Sequence, residues 1–195
     1  MNCNSYELMI PPLDKYEFEE FNKQEAQLYF EWYINQSDKR INLLKSYCET
    51  VTNKSNMFDG TVASLRPVWK WFESQIESER KSDEEIAMSL VGKPIWLQEE
   101  LKKHDWKLSL ATCALAIDLS FYFAAVFTHN NPSISWGYYT KPKSLVYVNR
   151  PVLTGFANKV CLDPRMVILN CCRRSFSEKK PDRLFELYVT WSKLI

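Results

Sequence analysis

Two histidines, six cysteines and one carboxylate inside an apolar run are the groups of this 195-residue chain best placed to do chemistry. The carboxylate is Asp118. Of the twenty residues from Leu108 to Phe127, only Ser109, Thr112, Asp118 and Ser120 are polar. A buried carboxylate is costly unless it is paired or well hydrogen-bonded. One reading makes Asp118 an acid with a raised pKa in a pocket that also holds Trp136 and Tyr138. The favoured reading is structural, with Arg150, Arg40 or a Trp or Tyr donor satisfying the charge, because no second titratable group nominates itself as a catalytic partner. His104 and His129 lie at opposite ends of the same run, which as a helix would hold them roughly 35 Å apart, too far to share a metal. No CxxC occurs among Cys3, Cys48, Cys113, Cys161, Cys171 and Cys172, so no zinc site and no cofactor are expected. Arg173 and Arg174 beside Cys171-Cys172 could depress a thiol pKa. Adjacent cysteines on a helix more often mean one core contact and one chance residue. With four glycines and no phosphate-loop, dinucleotide or nucleophile-elbow motif, no catalytic constellation is expected.

The elements that must position these groups are mostly helical. Apolar side chains fall on every face of Lys107–Thr128, which predicts a central helix at about 106–128, buried all round, capped by Asp105 and stopped by Asn130, Asn131 and Pro132. The stretch is long enough to span a membrane. An acid near its centre costs roughly 2.5–3.5 kcal/mol on insertion scales, however, and a buried soluble helix is expected. Residues 5–21 read as an extended segment packed on the body. Asn22 and Glu25 predict a capping box for a helix to about Ile34, and Ser37 is read as the cap of a second with the stripe Ile41, Leu44, Cys48 and Val51. Leu65, Trp69, Phe72 and Ile76 mark a third. Ser82 and Glu85 box a short helix ending at Gly92, and Pro94 opens another to about Lys103.

After the central run the period changes. Ile134, Trp136 and Tyr138 alternate with smaller or polar residues and Leu145–Asn149 is β-rich, which predicts a β-hairpin at about 133–149 turning at Lys141–Ser144. Pro151–Phe156 reads as a short third strand or an ordered loop. Asp163-Pro164 and Pro181 then open two C-terminal helices. The fold class is therefore α+β, predominantly α, in one globular domain whose helices surround the central one.

Charge divides the chain. Residues 1–128 hold 14 Lys/Arg against 20 Asp/Glu (net −6), and residues 129–195 hold 11 against 4 (net +7). The simplest arrangement sets the two parts against each other. The alternative is a charged surface for a partner, and the acidic candidate is Glu17, Glu19, Glu20, Glu25 and Glu31. Nucleic-acid binding through the basic residues between Lys141 and Arg183, with Trp136, Tyr138, Tyr139 and Tyr147 stacking bases, is disfavoured by the near-neutral net charge of +1. The first residues show no basic-then-apolar leader, so a cytoplasmic protein with reduced thiols is the economical expectation.

Several blocks taken together carry a resemblance: Gln24-Glu-Ala-Gln-Leu-Tyr-Phe-Glu-Trp-Tyr33, Ser64-Leu-Arg-Pro-Val-Trp-Lys-Trp-Phe72, Asp118-Leu-Ser-Phe-Tyr-Phe123, Trp136, and Asn149-Arg-Pro-Val-Leu-Thr-Gly-Phe156. In these the chain resembles a group of uncharacterised bacterial proteins, mainly of Gram-positive species, similar to immunity proteins of toxin systems. The resemblance implies a non-enzymatic protein that neutralises a toxin by binding it. Where such proteins commonly carry Gly-Glu after the aromatic residue, this chain has Ala124-Ala125, so any role of that pair is absent. A protein partner is thus expected, with a pocket near Asp118, Trp136, Tyr138 and Arg150 as the rival reading.

Overall fold

The computed structural model describes residues 6–15 and 17–195; Cys3 and Tyr16 lie outside them. The fold is α+β and predominantly α. Its helices are α1 (Lys23–Asn35), α2 (Ser37–Thr52), α3 (Leu65–Glu73), α4 (Asp83–Leu90), α5 (Ile95–Lys103), α6 (Leu110–Asn130), α7 (Pro164–Arg174) and α8 (Arg183–Ser192). Two small antiparallel sheets join them: β1 (Ser78–Arg80) with β2 (Trp106–Leu108), and β3 (Ser135–Gly137) with β4 (Val152–Thr154).

α6 is the central helix, shifted from its expected span of about 106–128. The Ser109 hydroxyl accepts from Thr112 N at 3.1 Å and caps the helix there, in place of Asp105. Asp105 is engaged elsewhere: its carbonyl accepts from Lys81 N at 2.7 Å and its carboxylate lies 3.3 Å from Arg80. Pairing with β1 uses the backbone of Trp106–Leu108, so those residues are strand. At the other end Asn131 Nδ2 donates to the Phe127 carbonyl and to the Tyr188 hydroxyl, closing the helix against α8.

By length and composition α6 could cross a membrane, yet 72% of its most apolar window is buried inside the protein. α2 and α7 pack along it, and α3 and α8 pack on each other beside it. Leu115, Leu119, Phe123, Val126 and Phe127 are fully buried, with Phe127 against Tyr188 at 4.3 Å. A second aromatic cluster gathers Phe18, Phe21, Tyr29, Tyr33 and Phe121, in which α1 and the N-terminal segment meet α6. The capping box at α1 forms as the sequence predicts, with Asn22 Oδ1 accepting from Gln24 N and Glu25 N while Glu25 accepts from Asn22 N.

The expected hairpin at about 133–149 is corrected. β3 pairs with β4, Trp136 opposite Leu153, across an excursion of fourteen residues between Gly137 and Val152. The β-rich Leu145–Asn149 folds into successive turns, with Val148 N donating to the Leu145 carbonyl and Arg150 N to the Tyr147 carbonyl. Its apolar and amide groups serve packing: Val148 is buried, and Asn149 Nδ2 donates to the carbonyls of Phe18 (2.7 Å) and Phe21 (3.1 Å). Gly155, just past β4, has φ +102°, and a Cβ there would stand 2.0 Å from the Ser133 carbonyl oxygen. Only glycine permits that backbone approach.

Basic side chains from beyond residue 129 meet the acidic N-terminal segment around Phe18–Phe21. Lys143 Nζ donates to the Glu19 and Phe21 carbonyls, Arg150 reaches Glu19 at 3.3 Å, and the guanidiniums of Arg150 and Arg165 both lie over the Phe18 ring. Three of the basic residues considered for nucleic acid are thus occupied internally.

Candidate functional site

Asp118 sits in the third turn of α6, on a face turned to α2 and the N-terminal segment, and is wholly buried. Its Oδ1 accepts from Arg40 Nε at 2.7 Å and its Oδ2 from the Tyr6 hydroxyl at 2.5 Å. Arg40, itself only 1% exposed, sends Nη2 to the Glu7 carbonyl at 2.7 Å, and its guanidinium lies 5.7 Å from the Tyr6 ring centroid. Lys39, its neighbour on α2, holds the Glu7 carboxylate at 2.7 Å. Burial pushes the Asp118 carboxyl above the usual carboxylate range, and the Arg40 and Tyr6 donors pull it back only in part. Burial, and then the Asp118 charge, raise the Tyr6 phenol far above its ordinary value, which keeps it a proton donor to the carboxylate. Asp118 therefore ties three sequence-distant segments together, with both oxygens occupied and no solvent exposure. A cavity of about 130 Å³ lies beside Arg40, lined chiefly by apolar side chains from the N-terminal segment and α6; Asp118 is not in its lining.

The other residues considered for a pocket are elsewhere. Trp136 packs on Tyr33 (5.8 Å) and Phe121 (6.4 Å), and Tyr138 on Phe30 (4.7 Å). Arg150 is not the partner of Asp118; it pairs with Glu19. The four do not converge on one reacting centre. Among the described residues no three His, Cys, Asp or Glu side chains are grouped to hold a metal ion. Cys171 and Cys172 are both buried. Burial outweighs the nearby arginines, pushing the Cys171 thiol up to about 11 and the Cys172 thiol higher still. The expected split into one core contact and one chance residue gives way to two core thiols.

The acidic candidates divide. Glu19 is held by Arg150, and Glu25 is taken up by Lys15 and the α1 cap. Glu17, Glu20 and Glu31 face solvent, Glu31 accepting from Gln27 at 2.8 Å. The exposed large apolar side chain on this part of α1 is Leu28.

A group of four strongly exposed apolar side chains is a feature that sequence reasoning did not single out. α4 and α5 form a helical spur carried on β1–β2, and neither helix buries a residue. Around its turn Met88, Val91, Ile95 and Trp96 are 76%, 76%, 77% and 71% exposed. Within 88–96 the one charged residue is Lys93. The spur is nonetheless a defined structure. Ser82 and Glu85 form the capping box, Lys107 Nζ lies 2.5 Å from Glu85 and 3.3 Å from Glu79, and Lys81 Nζ donates to the His104 carbonyl. Its base is fixed to α6, since Thr112 Oγ1 accepts from Glu77 N at 2.8 Å, and to the turn after α7, since the Trp106 ring packs at a tilt on Phe176 at 4.9 Å. The signal in the sequence is an apolar turn, Met88–Trp96, isolated between two charged runs that leave it no core to join. Comparison of the chain with protein-family models, curated proteins and solved structures gives no match.

Proposed function

We propose that this protein is a non-catalytic protein-binding module of the toxin-neutralising kind, and that it docks through the α4–α5 spur. The observation that carries the reading is the exposed apolar turn on an otherwise charged, internally capped hairpin. Each of its four large side chains is worth ~1.5–3 kcal/mol when fully buried. A preformed helical turn loses little conformational freedom on docking, which favours its use as an anchor. Trp96 is the residue type most enriched at binding hot spots. The partner implied is a protein with an apolar groove wide enough for two helix ends and a carboxylate at its rim to meet Lys93. The resemblance of Gln24–Tyr33, Ser64–Phe72 and Asn149–Phe156 to immunity-type proteins supplies the partner's class, a toxin. Glu17, Glu20 and Glu31 would steer a basic partner and set its approach rate more than its affinity.

The test is titration calorimetry of the wild type and of Trp96→Ala and Ile95→Ser against the products of adjacent genes. One product should bind the wild type, and each variant should weaken it at least about tenfold, a loss of about 1.4 kcal/mol. Circular dichroism and urea midpoint should stay unchanged, because neither residue supports the core. No binding product, affinities within about twofold of wild type, or binding of the spur to lipid vesicles in place of a protein would overturn the proposal.

A further inference from the structure

A cleft of about 280 Å³ opens between α7 and α8, far in sequence from the spur. Val167 and Leu187 supply apolar walls, and Arg174, Lys180 and Arg183 supply positive charge. Arg183 is the unusual member. It is 6% exposed, and among the described residues its one side-chain hydrogen bond runs from Nη2 to the Glu178 carbonyl at 2.6 Å. The nearest carboxylate, that of Glu178, is 3.8 Å away on a largely exposed side chain, and the Arg183 Nε is shut in with no partner. A guanidinium offers five donors, and burying one with a single acceptor is expensive. Arg174, exposed on the rim, makes no ion pair among the described residues, while Lys180 Nζ is taken by Glu186 at 2.5 Å. The lining therefore holds three cations against one acid. The rim is held in place, since Trp69 Nε1 donates to the Lys180 carbonyl and Lys180 N donates to Glu73 Oε1.

We infer that this cleft binds a small phosphate monoester with an apolar body, the phosphate between Arg174 and Arg183 and the body against Val167 and Leu187. The lining carries an excess of two positive charges, or one when the Glu178 carboxylate 3.8 Å from Arg183 is counted, which suits a monoester that carries about −1.5 to −2 at neutral pH. Arginine forks suit such oxygens. An anion there would also give the Arg183 guanidinium a closer counter-charge than the Glu178 carboxylate at 3.8 Å.

The experiment titrates phenyl phosphate, inorganic phosphate and benzoate into the full chain at low salt, followed by calorimetry and by amide shifts in α7 and α8. Phenyl phosphate should bind saturably and more tightly than either of the others. Arg174→Ala, whose side chain supports nothing in the fold, should weaken it about tenfold or more, the loss expected for one charge-assisted hydrogen bond. Arg183→Lys keeps the charge but not the fork and should weaken it as well; if that variant does not fold, Arg174→Ala alone decides. No saturable binding by the wild type, or unchanged affinity in Arg174→Ala, overturns the site. Benzoate binding as tightly overturns the dianion, and inorganic phosphate binding as tightly overturns the apolar body.

Discussion

Removing either half of the Arg40–Asp118 pair should cost far more than removing both. Asp118→Asn keeps the shape of the side chain but leaves the Arg40 guanidinium, 1% exposed, with only the Glu7 carboxylate at 3.9 Å as counter-charge, and that carboxylate is half in solvent. Arg40→Met leaves a fully buried carboxylate with the Tyr6 hydroxyl as its one remaining donor. Breaking a buried pair from one side costs ~3–5 kcal/mol, a large part of the ~5–15 kcal/mol that holds a domain together. The Arg40→Met/Asp118→Asn double variant removes both charges and should be destabilised by less than the sum of its singles, with a coupling of roughly 2 kcal/mol or more. Tyr6→Phe removes a bond to a charged acceptor and should cost ~1.5–3 kcal/mol. Urea unfolding followed by circular dichroism reads all four. Single variants within about 1 kcal/mol of wild type, or losses that simply add, would refute the structural role assigned to Asp118.

Other outcomes follow from particular contacts. Cys171, with its folded-state pKa near 11 against an ordinary value of 9.0, favours the fold below the unfolded value and loses that contribution as pH rises through the folded one. The urea midpoint should therefore fall between about pH 9 and about pH 11, with each such thiol contributing ~1.4 kcal/mol per pH unit, and a flat midpoint over that window would contradict it. In the native protein Cys171 and Cys172 should resist a thiol reagent at mildly alkaline pH and react on unfolding, which mass spectrometry of labelled peptides would show. Gly155→Ala forces a methyl into the Ser133 carbonyl and should cost ~1–3 kcal/mol or prevent β3–β4 pairing, measured by urea unfolding. Trp96→Ala should leave stability within ~0.5 kcal/mol of wild type, since α5 buries nothing.

Helix positions were legible in the sequence wherever local chemistry decides them. The Asn22/Glu25 and Ser82/Glu85 boxes and the Asp163-Pro164 start stand where side-chain capping places them, whereas Ser37 is not a cap but the first residue of α2, which follows Gln36 with no side-chain cap. The misplacements arise where tertiary pairing outbids a local signal. Asp105 has the chemistry of a cap, yet the β1–β2 ladder claims its backbone and Ser109 caps α6. Leu145–Asn149 has β composition, yet Val148 is taken into the core and Asn149 bonds the Phe18 and Phe21 carbonyls, and the partner of β3 lies further on at Val152–Thr154. That Asp118 needed a donor was readable from its apolar surroundings. That Arg40 and Tyr6, 78 and 112 residues away, would supply it was not, because sequence spacing carries no record of which distant segments meet. The apolar turn of the spur was in plain view between its charged flanks. What hid it is that periodicity identifies helices without saying whether a core exists to receive them.

The docking claim is tested most directly by hydrogen exchange on the complex with a bound neighbouring-gene product. Protection confined to the α4–α5 turn, with Met88–Trp96 slowed and Gln24–Glu31 little changed, is the expected result. A footprint on the acidic face of α1 that leaves the spur exchanging as in the free protein would contradict it.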